Sequence, residues 1–261
     1  DTAIPHIPVT AHGLKENGYA TIATTNWLPY SWSINNVAFA EVMHTALSYF
    51  QAGRADAGYK LLKSSVLDGM YLGDSPGNFG QISFYDAARG ECYRDFGDPI
   101  GVASRVLIQG LFGILPDALN QQIILRPGFP DDWDKASVST PDISYRFTRK
   151  EDTDTYHITQ RFQTPLHPVL QINARKEKIR SVKVNGVPAT WQSIESTHGY
   201  PLLSIQAEGT SSTTITIEWE GASLHTLAVQ ELVIASNGKL ALQIPSGASI
   251  SQVYDPQSVL A

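Results

Sequence analysis

The spacing of apolar residues changes once along this chain, near residue 121, and that change dictates two kinds of structure in series. Upstream, apolar side chains recur at the helical period of 3.6; downstream they alternate with polar ones at the strand period of two. A first helix fits Asn36 to Gln51, where Val37, Phe39, Val42, Met43, Ala46, Leu47 and Phe50 leave almost no polar side, so burial on most sides is expected. Gly53 ends it. A second helix fits Ala55 to Tyr71, with Tyr59, Leu62, Val66 and Met70 at helical spacing. The link Ala52-Gly53-Arg54 is short enough to make the two an antiparallel αα-hairpin. A third helix fits Pro99 to Ile114, with Asp98 as its N-cap and an apolar surface over much of its circumference. Residues 1–30 read as irregular, and residues 73–98 as a long, glycine-bearing loop rich in aromatics.

From Gln121 the chain reads as short strands at 123–125, 144–148, 156–162, 169–174, 181–184, 202–205 and 213–219. Asn185-Gly186 between two apolar runs is a hairpin signal, and Asn237-Gly238 another. Regular strands and turns of this kind form a sandwich or a related all-β domain. Trp133, Trp191 and Trp219 fall at sandwich positions and are expected in its core. The fold class is therefore α+β, with a helical part over 1–120, an antiparallel β-sandwich over 121–221 and an additional β segment over 222–261.

Composition narrows the functions. A formal charge of −6 gives no basic footprint for nucleic acid. The single cysteine, Cys92, rules out an internal disulfide and argues against a cysteine zinc site. The seven histidines show no metal-ligand spacing, and no nucleotide, nucleophile-elbow or zincin motif occurs, so no cofactor is expected. The longest apolar stretch, 37–50, is interrupted by Glu41 and His44, so no membrane span is expected. The chain opens at Asp1-Thr2-Ala3 without a visible signal sequence and reads as a segment whose partner is the remainder of a longer polypeptide.

Gly110-Leu111-Phe112-Gly113-Ile114-Leu115-Pro116-Asp117, followed by Ile123 to Pro127 and by Phe129-Pro130-Asp131-Asp132-Trp133, resembles the end of the catalytic barrel in (α/α)6-toroid glycoside hydrolases and phosphorylases. The α-L-rhamnosidase-like and maltose-phosphorylase-like enzymes share this layout, in which a C-terminal jelly-roll-like sandwich follows the last barrel helix. Phe50-Gln51-Ala52-Gly53-Arg54, at the turn of the helix pair, fits the same toroid. The resemblance covers roughly residues 20–220. It implies that 1–120 is the C-terminal part of the barrel, that the substrate is a poly- or oligosaccharide, and that the enzyme is periplasmic or extracellular. Most of the toroid lies outside this chain, so the isolated chain is expected to be inactive.

Glycoside hydrolysis uses two carboxyl groups flanking the scissile bond. Glu91 is the first candidate, on the loop before the third helix, with Tyr93, Arg94 and Asp95 beside it. Arg94 would keep a base ionised; a loop ion pair is the alternative for Glu91 and Asp95. Glu41 is the second, an acid on an apolar helix with His44 one turn on; a structural pairing is its alternative. Trp27, Tyr30 and Trp32 are candidates to stack on sugar rings, with packing as the alternative, and Tyr93 and Arg94 complete the substrate-binding set. A rival function is a non-catalytic carbohydrate-binding or support module within a larger enzyme.

Overall fold

The computed structural model describes residues 6–8, 18–23, 37–72, 84–86, 91–93, 97–194, 201–224 and 238–239, with 6–8, 70–72, 84–86 and 91–93 described by backbone only. Residues 1–226 form one compact unit and residues 227–261 a second. The hairpin expected at Asn237-Gly238 lies outside the described residues apart from Gly238.

Two short strands, β1 (His6–Pro8) and β2 (Ala20–Ile22), pair antiparallel within the region read as irregular. Strand β3 (Val37–Ala38) runs directly into helix α1 (Phe39–Gln51), and α2 (Ala55–Val66) follows antiparallel. At their turn the amides of Ala52, Gly53 and Arg54 donate to the carbonyls of Ser48, Phe50 and Tyr49, closing the helix end. Helix α1 is less enclosed than its composition suggests. Phe39, Val42, Met43, Ala46, Leu47 and Phe50 are buried, but Glu41, His44 and Ser48 form an exposed stripe. The few polar residues sit three and four apart, and that is enough to give the helix a solvent side.

The second and third helices both end in wider π turns, over Leu67–Leu72 and Val106–Leu111. Helix α3 itself covers only Asp98–Arg105, and its cap position is Gly97. Asp98 is thus the first helical residue rather than the cap, and no side chain caps that end. The apolar circumference expected for this helix is also only partly buried: Ile100 and Leu107 are exposed.

Strand β6 (Ile114–Asp117) begins three residues after the π turn, so the sheet starts before the change of period at 121. It pairs with β7 (Gln122–Leu125) across a 3-10 turn. There follow β8 (Lys135–Ser139), β9 (Ile143–Lys150), β10 (Thr153–Gln160), β11 (His167–Asn173), β12 (Lys176–Val184), β13 (Val187–Pro188), β14 (Gln192–Ile194), β15 (Leu202–Gln206) and β16 (Ser212–Ser223). One sheet has the order β13-β12-β16-β10-β9-β8 and the other β14-β15-β11-β7-β6. All pairings are antiparallel except β7 with β11, which run parallel because the chain crosses to the other sheet between them. Asn185 and Gly186 have φ of 50° and 80°, the left-handed pair that a tight hairpin turn between β12 and β13 requires. Strands β9, β10 and β16 alternate buried and exposed residues, and the inner faces of both sheets join one hydrophobic cluster with the helices. Trp219 is buried in that cluster and Trp133 packs half-buried against the cluster, but Trp191 is exposed, because it lies in the link between the two edge strands β13 and β14.

The helices are fastened to the sandwich around the ring of Phe50. Three glycines from three segments face that ring. A methyl group at Gly58 of α2 would lie 3.0 Å from Cδ1 of Phe50, and one at Gly110 of the π turn 2.6 Å from Cδ2. One at Gly128, beyond β7, would collide with Cδ1 as well. Nearby, Gly113 has φ of 65° and packs against the Arg126 carbonyl so closely that no Cβ fits. The amides of Arg126 and Gly128 donate to the carbonyls of Gly113 and Leu111 at 2.8 and 3.0 Å, binding the helix end to the strand end. Phe129 continues the seam. Its ring stacks on Phe147 at 5.1 Å and meets Phe112 edge-on at 5.5 Å, while Trp133 meets Tyr59 of α2 edge-on at 4.9 Å.

Overpacking of this kind costs about 1–3 kcal/mol. Gly110→Ala and Gly128→Ala are each expected to lower unfolding free energy by about that much in urea titrations. Combined with Phe50→Leu, which makes room, either glycine substitution should cost less than the sum of the two.

Candidate functional site

Part of the loop that carries the first candidate is a hairpin. Strand β4 (Phe84–Asp86) pairs antiparallel with β5 (Glu91–Tyr93), and β4 also pairs with β3, giving a three-stranded sheet in the order β3-β4-β5. The register sets Phe84 opposite Tyr93, Tyr85 opposite Cys92 and Asp86 opposite Glu91, while Val37 and Ala38 stand opposite Tyr85 and Phe84. Since β3 continues without a break into α1, this sheet is built onto the N-terminal end of the helix pair. Val37 and Phe39 are fully buried, which anchors that end in the core.

Glu91 and Tyr93 are thereby two residues apart on β5, at the edge of this sheet, and share one of its faces by the strand period. Asp86 is the register partner of Glu91, so the strand pair sets two acidic residues level. Directly opposed residues in antiparallel strands have Cβ atoms about 4.5–5.5 Å apart. Like charges opposed in this way repel. Sequence reasoning passed over Asp86. The signal was there in Phe84-Tyr85-Asp86 and Glu91-Cys92-Tyr93, two mirrored triplets either side of Ala87-Ala88-Arg89-Gly90.

Glu41 lies three residues beyond Ala38 on α1, within the same end of the fold. It is exposed, as is His44, so the buried acid in need of a partner is not what the structure contains. Asp95, Arg94, Trp27, Tyr30 and Trp32 lie outside the described residues.

Elsewhere, buried acid chemistry is structural. Asp154 on β10 is 1% exposed. Its carboxylate accepts from Arg149 Nε at 2.9 Å and from the Trp219 indole at 3.0 Å, and Arg175 Nε lies 3.4 Å away. Every direction around it is occupied by protein, which suits a core cross-brace and leaves no room for a ligand. Asp131, in the Pro-Asp-Asp-Trp stretch, has its carboxyl held above the usual range by loss of solvent and then by the nearby Asp56. Its amide donates to Asp56 Oδ1 at 3.3 Å, so this corner ties α2 to the loop before β8. Among the described residues no group of three His, Cys, Asp or Glu side chains could hold a metal ion, and no helix is long and apolar enough to cross a membrane.

No family model matches the chain, and no curated protein matches it. The solved structures to which it is similar include three glycoside hydrolases. An α-L-rhamnosidase from Dictyoglumus thermophilum shows 12% identity and a TM-score of 0.44, over 70% of this chain and 21% of that one. An α-L-rhamnosidase from Streptomyces avermitilis, complexed with L-rhamnose, shows 12% identity and a TM-score of 0.42, over 71% and 18%. A GH127 β-L-arabinofuranosidase from Geobacillus stearothermophilus T6 shows 10% identity and a TM-score of 0.32, over 70% and 32%. The chain thus spans 18% to 32% of the length of these proteins, and likeness of this degree assigns neither activity nor substrate.

Removing the Asp154 carboxylate takes an acceptor from Arg149 and from the Trp219 indole, while Arg149 and Arg175 are both partly exposed and keep backbone acceptors, a loss of about 1–3 kcal/mol. Asp154→Ala is expected to destabilise the chain by that amount in denaturant titrations. Asp154→Asn, which keeps an acceptor for the indole of Trp219, should cost less.

Proposed function

We propose that this chain is the C-terminal part of a glycoside hydrolase, with its helices belonging to an (α/α)6 toroid and its sandwich serving as the cap. One observation carries the reading. Residues that resemble the barrel-to-sandwich junction of such enzymes are among those that fasten helix to sheet here: Gly110, Gly113, Phe129 and Trp133. A motif whose every glycine answers to a close contact is a structural device, and this device joins an αα-hairpin and a third helix to a two-sheet sandwich. The exposed apolar residues Ile100 and Leu107 of the third helical segment support the same reading, because further toroid helices of the parent polypeptide would cover them.

On this reading the β3-β4-β5 sheet belongs to the rim of the toroid. Glu91 is one of the two catalytic carboxylates. Asp86, its register partner, is the first choice for the second, because the pairing sets the two acidic residues level on adjacent strands. Glu41 and Asp95 come next. Trp27, Tyr30, Trp32, Tyr93 and Arg94 would hold the sugar by stacking and hydrogen bonding. The substrate is a poly- or oligosaccharide met in the periplasm or outside the cell.

The test is Glu91→Gln in the full-length enzyme, with melting temperature as the check on folding. Loss of a general acid or base lowers turnover by about 10²–10⁴-fold, and a fall in that range at an unchanged melting temperature is expected. Wild-type turnover in the folded variant would remove Glu91 from the mechanism. Asp86→Asn, measured alongside, should fall comparably if the two act as a pair.

A further inference from the structure

A second site of ligand-binding character lies on the sandwich. At one end of the five-stranded sheet, Gln122 of β7 and His167 of β11 are neighbours in register, and Val169 stands opposite Gln206 of β15. Facing them are Val184 and the β12–β13 hairpin with Val187. Between the two walls is a cleft of about 320 Å³, the lower end of the size range of small-molecule sites.

Both walls are held in place by hydrogen bonds that do not involve a ligand. The Asn185 side chain accepts from the Thr214 amide at 2.8 Å, and the Asn185 amide donates to the Thr214 carbonyl, pinning the hairpin to β16. On the other side the Ala207 amide donates to the Pro168 carbonyl, and the Gly209 amide to Nδ1 of His167 at 3.0 Å. That last bond fixes the imidazole. With Nδ1 accepting, the neutral ring carries its hydrogen on Nε2, leaving Nε2–H free as a donor.

The chemistry of the lining selects a ligand class. Gln122 and Gln206 each bring an amide that donates and accepts. His167 brings a donor, and Glu208, whose Oε2 is 3.7 Å from Nδ1 of His167, brings a carboxylate at the mouth. Val169, Val184, Val187 and Ala207 supply apolar surface. Among the described residues that line the cleft, none is Lys or Arg, so an anionic ligand would meet only the like charge of Glu208. A neutral ring with hydroxyls along its edge and C–H groups on its face satisfies both kinds of surface, and the volume suits one or two such rings.

We infer that this cleft is a non-catalytic binding site for a neutral saccharide. It is separate from the β4–β5 hairpin and uses none of its carboxylates, so the inference and the catalytic reading can fail independently. The test uses the full 261-residue chain, isotopically labelled, titrated with methyl glycosides of D-glucose, D-galactose and D-mannose and followed by amide NMR shifts, with D-glucuronate as the anionic counterpart. The expected result is saturable, millimolar binding of at least one neutral glycoside, with shifts centred on Gln122, Ala207 and Gly209 and markedly weaker binding of glucuronate. Gln206→Ala, at an exposed position, should keep the fold and weaken binding up to about tenfold; Gln122→Ala is the second variant. Absence of saturable shifts, equal binding of glucuronate, shifts centred elsewhere, or affinity unchanged in both variants would each overturn the inference.

Discussion

The packing of the Phe50 ring against three glycines is the contact on which the rest of this structure depends. Gly58 lets α2 lie against the end of α1, Gly110 brings the last helical turn to the same ring, and Gly128 does so for the chain leaving β7. The ring is nearly fully buried, so none of these approaches can be relaxed toward solvent. Close backbone packing of this sort has no slack, since a core at native density transmits a displacement of one methyl group to every neighbour. Gly113 adds a conformational requirement to the steric one, turning the chain from helix to strand where a side chain would strike the Arg126 carbonyl.

From that seam the two halves follow. The helix pair hands its buried side to the aromatic row Phe112, Phe129, Tyr145 and Phe147, and the sandwich continues it through Tyr156. Beyond the row the core becomes aliphatic, and among the described residues the buried charge is Asp154, where two arginines and an indole surround the carboxylate. The fold is thus continuous from α1 to β16. The β3-β4-β5 sheet and the sandwich cleft sit on it as separate places for chemistry: one with acidic residues in register, the other with amides and a fixed imidazole.

Much of this was legible from spacing. The alternation along Ile143–Lys150, Thr153–Gln160 and Ser212–Ser223 marks half-buried strands plainly, and Asn185-Gly186 marks the hairpin that joins β12 to β13. What spacing did not reveal has physical reasons. Ile114 to Asp117 continues an apolar helix in sequence, and only the left-handed turn at Gly113 makes it a strand. Lys135–Ser139 is a sheet edge with little burial and so little pattern. Glu41 looked buried because its neighbours are apolar, yet a helix needs only one polar stripe to turn outward. In the hairpin, length and aromatic content singled out the segment, but the pairing of Asp86 with Glu91 depends on register, which no local pattern discloses.

The central claim is that the helices and the sandwich fold as one unit because of the Phe50 seam. Native-state hydrogen exchange tests it most directly, comparing core amides of α1, such as Met43 and Leu47, with those of Ile158 and Ile217 in the sandwich. The account predicts that both sets open with the same free energy, and that Gly128→Ala lowers both equally. Exchange of the α1 amides through a cheaper opening that leaves Ile158 and Ile217 protected, with Gly128→Ala affecting the helices alone, would contradict it.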